Sequence, residues 1–151
     1  MLKKPKIIYF FHVIMYSELE EDVLLNYMVK SFGNNAGKIL ETLEQDGPQV
    51  QKKVLERAQL TEDEFYGAIG WLARENKVRK DKRTYTIGET NLTADIGTNA
   101  GKVWEVLKKR NDLDMVTISR LSKVPKKDCY SALGWLAREN KISAKISVRK
   151  K

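Results

Sequence analysis

The side chains of this sequence best suited to chemistry are cations, and the chemistry open to them is contact with phosphate. Arg120, Lys123, Lys126 and Lys127 lie close together, Lys145, Arg149, Lys150 and Lys151 follow near the end of the chain, and Arg79, Lys80, Lys82 and Arg83 form an earlier basic run. Guanidinium and ammonium groups can hold phosphate oxygens without the exact geometry that catalysis demands. Their distribution is uneven: residues 97–151 carry 14 Lys and Arg against 5 Asp and Glu, an excess of +9. Residues 33–96 carry 10 against 11, and residues 1–32 carry 4 against 4. A surface that only needs solubility has both signs interspersed, so this concentration points to a polyanionic partner.

Other chemistries find little material. His12 is the only histidine and Cys129 the only cysteine, so neither a nucleophile–base pair nor a zinc site can be assembled, and no internal disulfide can form. No enzyme activity, metal or cofactor is expected, and a lone thiol suits a reducing cytoplasm. The stretch Gly33-Asn34-Asn35-Ala36-Gly37-Lys38 imitates a phosphate loop, but it has three residues between its glycines where the motif needs four, and Ile39 stands where the motif needs Ser or Thr. Trp71, Trp104 and Trp135 could stack on bases, but apolar positions on helices more often face a core.

The elements that would position the cations come in duplicate. Gly33-Asn34-Asn35-Ala36-Gly37-Lys38 matches Gly97-Thr98-Asn99-Ala100-Gly101-Lys102, and Tyr66-Gly67-Ala68-Ile69-Gly70-Trp71-Leu72-Ala73-Arg74-Glu75-Asn76-Lys77 matches Tyr130-Ser131-Ala132-Leu133-Gly134-Trp135-Leu136-Ala137-Arg138-Glu139-Asn140-Lys141, both at an offset of 64 without a gap. A period of this length exceeds that of solenoid repeats and suits a duplicated small domain. In each copy apolar residues at helical spacing mark a first helix: Ala36, Ile39, Leu40 and Leu43, then Ala100, Val103, Trp104 and Leu107. Asn35 and Asn99, or the residues just before them, are expected to cap it.

After Gly47-Pro48 or Asn111-Asp112 comes a short second helix, then a turn at Leu60-Thr61 or Val124-Pro125. Thr61 and Glu64 have capping-box spacing at the start of the third helix, whose inward stripe is Phe65, Ala68, Ile69, Leu72 and Ala73, or Cys129, Ala132, Leu133, Leu136 and Ala137. Asn76-Lys77 and Asn140-Lys141 suit its end. Alternating β-prone segments follow, Arg83–Ile87 and Lys145–Arg149. Three helices followed by a hairpin spell an α+β fold, mainly α: two tandem winged helix-turn-helix domains, each of three helices and a β wing. Gly70 and Gly134 sit inside the third helices at a cost of about 1 kcal/mol each relative to alanine, so something must approach closely. A helix of the other copy is the favoured neighbour, a DNA backbone the alternative.

The paired Asn-Ala-Gly-Lys and Gly-Trp-Leu-Ala-Arg-Glu-Asn-Lys strings resemble a family of small winged helix-turn-helix proteins of archaea and bacteria, over roughly residues 33–151. The resemblance implies the fold, with DNA binding as that fold's usual role and no proven activity of its own. Family members carry the unit once, so a tandem copy implies that a pseudo-dimer replaces a homodimer. The expected organisation is an extension over 1–32, a first domain over 33–93 and a second over 94–151. The run Ile7–Tyr16 is too short to span a bilayer as a helix and lacks a cleavage site, so it is read as a capping strand or helix, or as sequence ahead of a true start at Met28, rather than as a membrane or export signal.

The third helices differ in charge. Thr61-Glu62-Asp63-Glu64 opens the first with three carboxylates, and Pro125-Lys126-Lys127-Asp128 opens the second with two lysines. Phosphates would repel the former and attract the latter. The expected function is therefore duplex DNA binding, as a transcriptional regulator or architectural factor, chiefly by the second domain, with the first as a packing partner or protein-binding module and its wing adding backbone contacts. Few Arg, Asn or Gln side chains stand on either third helix to read bases. The alternative is a protein-interaction or scaffold module of a larger assembly, with or without RNA, in which the basic tail contacts RNA or acidic protein, the chain acting as a monomeric pseudo-dimer or as a homodimer.

Overall fold

A computed structural model of the chain describes residues 21–110 and 113–142, with side chains described from Tyr27 onward. The run Ile7–Tyr16 and the second wing, with Lys145, Arg149, Lys150 and Lys151, lie outside the described residues. In chain order the elements are α1 (Glu21–Asp46), β1 (Gln49–Val50), α2 (Gln51–Ala58), α3 (Glu62–Arg74), β2 (Val78–Asp81), β3 (Thr84–Ile87), a π turn over Thr93–Gly97, α4 (Thr98–Lys109), α5 (Met115–Ser122) and α6 (Lys126–Arg138). Helices α1, α2 and α3 and helices α4, α5 and α6 are the two copies of the three-helix unit. The strands form one antiparallel sheet in the order β1-β3-β2, with Gln49 opposite Tyr85 and Lys80 opposite Tyr85 on the other side.

The first helix departs from its expected start. Asn35 does not cap it: α1 begins at Glu21 and passes through Gly33 and Asn35 without a break, and Asn99 likewise lies inside α4. The reason is burial. Met28, Val29 and Phe32 continue the apolar stripe of Ala36, Ile39 and Leu43 backwards, and all six are buried. That stripe outweighs the poor helix propensity of Gly33 and Asn34. Asn35 itself is 3% exposed, and its amide nitrogen has no hydrogen-bond partner.

Other local signals are realised as expected. The Glu64 backbone N–H donates to Thr61 Oγ1 at 3.2 Å, and the Thr61 N–H donates to Glu64 Oε1 at 2.9 Å, a complete capping box on α3. Asn76 and Asn140 adopt φ of 60° and 62°, the left-handed conformation asparagine tolerates, and end α3 and α6. The Lys77 N–H then reaches back to Leu72 O and the Lys141 N–H to Leu136 O, both at 3.0 Å.

Two cores result, and they are not confined to their own copies. The second, built on Val103, Ile118, Cys129, Leu133 and Leu136, also takes in Met28, Val29 and Phe32 from the first turns of α1. The first, built on Ile39, Val54, Phe65, Leu72 and Tyr85, takes in Ile96 from the π turn, with Leu92 packed against it. Residues 28 and 32 correspond to 92 and 96 at the repeat offset. Each copy therefore lends its leading segment to the core of the other.

Candidate nucleic-acid interface

In a helix-turn-helix the third helix buries one face and offers the opposite one to the DNA groove. Here those opposite faces cover each other: among the described elements α3 and α6 form the most extensive contact. The contact is glycine-made. A Cβ on Gly70 would lie 1.8 Å from the Ser131 carbonyl oxygen, and one on Gly134 would lie 1.8 Å from the Gly67 carbonyl oxygen. The neighbour anticipated for these glycines is therefore the helix of the other copy. Like ends adjoin, so the pair runs parallel about a pseudo-two-fold axis. At the C-terminal end Arg74 Nε donates to Glu139 Oε2 at 3.1 Å and Arg138 Nε to Glu75 Oε2 at 2.9 Å.

Two of the three tryptophans serve this contact. Trp71 and Trp135 are partly buried against both cores, and the Arg138 guanidinium lies 5.8 Å from the Trp71 ring centre, with Arg74 5.7 Å from that of Trp135. The Trp71 indole rests on α1 at Gly33, where a Cβ would come within 2.9 Å of the ring. Lys141 stands 5.7 Å from the ring centre of Trp104. Guanidinium and ammonium groups thus occupy ground on which bases would stack.

At the N-terminal ends the charge contrast between the copies becomes a juxtaposition. Asp63 faces Lys126 and the Tyr130 hydroxyl. Burial raises the Asp63 pKa above the usual carboxylate value, while the lysine and the hydroxyl pull it back in part. The Tyr66 hydroxyl donates to Glu62 Oε1 at 3.2 Å and accepts from Gln51 Nε2 at 3.2 Å. Glu64 is held in its capping box. All three carboxylates that open α3 are therefore engaged within the protein.

The cations fare differently from site to site. Arg120, Lys123, Lys126 and Lys127 are all exposed around the α5–α6 turn, and no described carboxylate lies within ion-pair distance of any of them. Lys123 closes α5 with φ of 60°. In the wing, Lys82 and Arg83 are exposed and without a described ion pair, Lys82 taking φ of 58° at the hairpin tip. Arg79 is committed instead: its Nε and Nη2 donate to Asp81 at 2.9 and 3.0 Å, and Nη1 donates to the Glu89 carbonyl at 3.2 Å. That guanidinium holds the Asp81 carboxyl below the usual range. Lys80 lies 5.4 Å from the Tyr85 ring centre.

Sequence reasoning left Lys102, Lys109 and Arg110, exposed on and just beyond α4, inside the bulk charge of the second copy. Comparing aligned positions would have found Lys109 and Arg110, whose first-copy counterparts are Gln45 and Asp46, but not Lys102, whose counterpart is Lys38. Among the described residues no cluster of histidine, cysteine and carboxylate side chains could hold a metal ion, and no helix is long and apolar enough to cross a membrane.

A family model described as a winged helix-turn-helix domain (DUF2582) matches residues 28–88 and again residues 90–150. No curated protein and no solved structure matches the chain.

Proposed function

Since the chain belongs to the DUF2582 winged helix-turn-helix family, here as a tandem pair, we propose that it binds duplex DNA through the phosphate backbone, as an architectural rather than base-reading factor. The observation that carries this reading is the mutual burial of the two third helices beside a set of exposed cations, none within ion-pair distance of a described carboxylate. A helix with its side chains is about 10–12 Å across and fills a major groove about 12 Å wide. Two helices packed backbone to backbone do not fit. What remains available is charge: Arg120, Lys123, Lys126 and Lys127 on the second copy, with Lys82 and Arg83 of the first wing as an auxiliary set. Lys145, Arg149, Lys150 and Lys151 extend the same cationic sequence. Arg79 and Lys80 belong to the wing, but Arg79 spends its donors on Asp81 and Glu89.

Because the glycine face is satisfied within one chain, the active species in this reading is a monomer, expected at the mass of a single chain in light scattering. The test of binding is a titration of labelled duplexes of unrelated sequence with the intact chain and with Lys126→Glu/Lys127→Glu, at low and physiological salt. Expected are similar affinities across sequences, a log–log salt slope of about 0.9 per phosphate contacted, and a marked loss in the variant. Strong preference for one sequence would overturn the architectural reading. No binding at low salt would overturn DNA binding itself and leave the pair as a protein-interaction module.

A further inference from the structure

The two copies are built on one backbone plan, so a place where they differ chemically is informative, and the cleft between the first and second helices is such a place. In the first copy it is latched: Arg57 Nε on α2 lies 3.1 Å from Asp46 Oδ2 at the end of α1. The equivalent positions of the second copy are Leu121 and Arg110, which cannot form that pair. Between α4 and α5 there is instead an open groove of about 480 Å³, bordered by Val106, Leu121, Lys102, Lys109 and Arg110. Thr42, buried in the first copy, is replaced by Val106, partly exposed, and Leu121 is 37% exposed.

We propose that this groove docks an acidic amphipathic helical peptide of a partner protein, its apolar residues over Val106 and Leu121 and its carboxylates against Lys102, Lys109 and Arg110. Charge complementarity selects the occupant. The one acid among the described rim residues, Glu105, pairs with Lys108 at 2.8 Å and also feels the charge of Lys109, and no described carboxylate lies within ion-pair distance of Lys102, Lys109 or Arg110. Cations at the end of α4 also offset its carbonyl dipole, but that would account for the charge alone and not for a leucine left open beside it. A groove of this volume with an apolar floor and a charged rim has the character of a helix-in-groove site rather than a phosphate surface, which needs no apolar floor. Neither Lys126 nor Lys127 lines the groove, whereas Arg120 and Lys123 of the proposed phosphate set flank Leu121 and Ser122 in sequence, so duplex DNA affinity is measured beside peptide affinity.

The copies supply their own control. Arg110→Asp/Leu121→Arg installs the latch that the first copy already accommodates, and Lys109→Glu changes only an exposed charge. The probe is a fluorescein-labelled synthetic helix of about 15 residues with leucines at i, i+3, i+4 and i+7 and glutamates elsewhere, titrated into the full chain. Saturable binding is expected, with amide shifts centred on Lys102, Val106, Lys109 and Leu121. It should weaken about tenfold or more in the latched variant and several-fold in Lys109→Glu, and be unchanged in Lys126→Glu/Lys127→Glu. No saturable binding, or binding indifferent to both groove variants, would overturn the proposal. So would a latched variant that loses duplex DNA affinity as steeply as peptide affinity, because the groove would then be part of a phosphate surface.

Discussion

At the scale of single residues the molecule turns on atoms that are missing. Alanine in place of glycine inside a helix ordinarily stabilises by about 1 kcal/mol. At Gly70 and Gly134 the sign reverses, because the added carbon would overlap a backbone carbonyl that cannot swing aside. Gly70→Ala or Gly134→Ala is expected to cost at least about 2 kcal/mol in urea unfolding. Gly37→Ala and Gly101→Ala, helical positions with nothing within 4 Å of the new Cβ, are expected to stabilise by about 0.5–1 kcal/mol. That Gly70 and Gly134 have a close neighbour is legible in the sequence; which neighbour is not, since a missing Cβ records proximity and not identity. Asp63 gives a second test. Its pKa is raised in the folded chain, chiefly by burial, so the protonated form is favoured there. The associated stability is fully present below the unfolded value of 3.8 and is lost as pH rises through the raised folded value. Relative to Asp63→Asn, the natural chain should therefore gain stability as pH falls through the carboxylate range, read from urea midpoints at a series of pH values. A constant difference would mean that Lys126 and Tyr130 fully offset the burial.

At the scale of elements the sequence was most legible where a local rule acts alone. The capping box of Thr61 and Glu64, the asparagine ends of α3 and α6 and the three-helix order all follow from neighbours in sequence. It was least legible at the start of α1, where Asn35 has the residue type of a cap but its helix is extended by Met28, Val29 and Phe32, which are buried in the core of the other copy. Local spacing cannot report a long-range core. The crossed ion pairs of α3 and α6 were hidden for the same reason, although Arg74-Glu75 and Arg138-Glu139 were in plain view as matched strings. Each arginine adds a ring contact to its pair, so Arg74→Ala or Arg138→Ala should cost about 1 kcal/mol. Exchanging the charges, Arg74→Glu with Glu139→Arg, should recover part of what Arg74→Glu alone loses, as measured in a double-mutant cycle.

At the scale of the whole molecule, lending Phe32 to one core and Ile96 to the other makes the copies a single cooperative body. Phe32→Ala, at a site with 0% exposure, is expected to cost about 3–5 kcal/mol and to lower amide-exchange protection in α3 and α6 alike. Protection lost from one copy only would show that they open separately. The parallel seating of α3 on α6 has a further consequence, one of inheritance. Two identical chains meeting at a true two-fold must repeat every contact, residue i on j and j on i, so only residues on the axis meet their own twins, and a mutation strikes both sides at once. Two copies within one chain are free of that constraint. Asp63 has Lys126 as a neighbour, one cleft carries the Asp46–Arg57 latch while Arg110 and Leu121 stand at the same positions of the other, and each half can differ in its surface while remaining bound to its sibling.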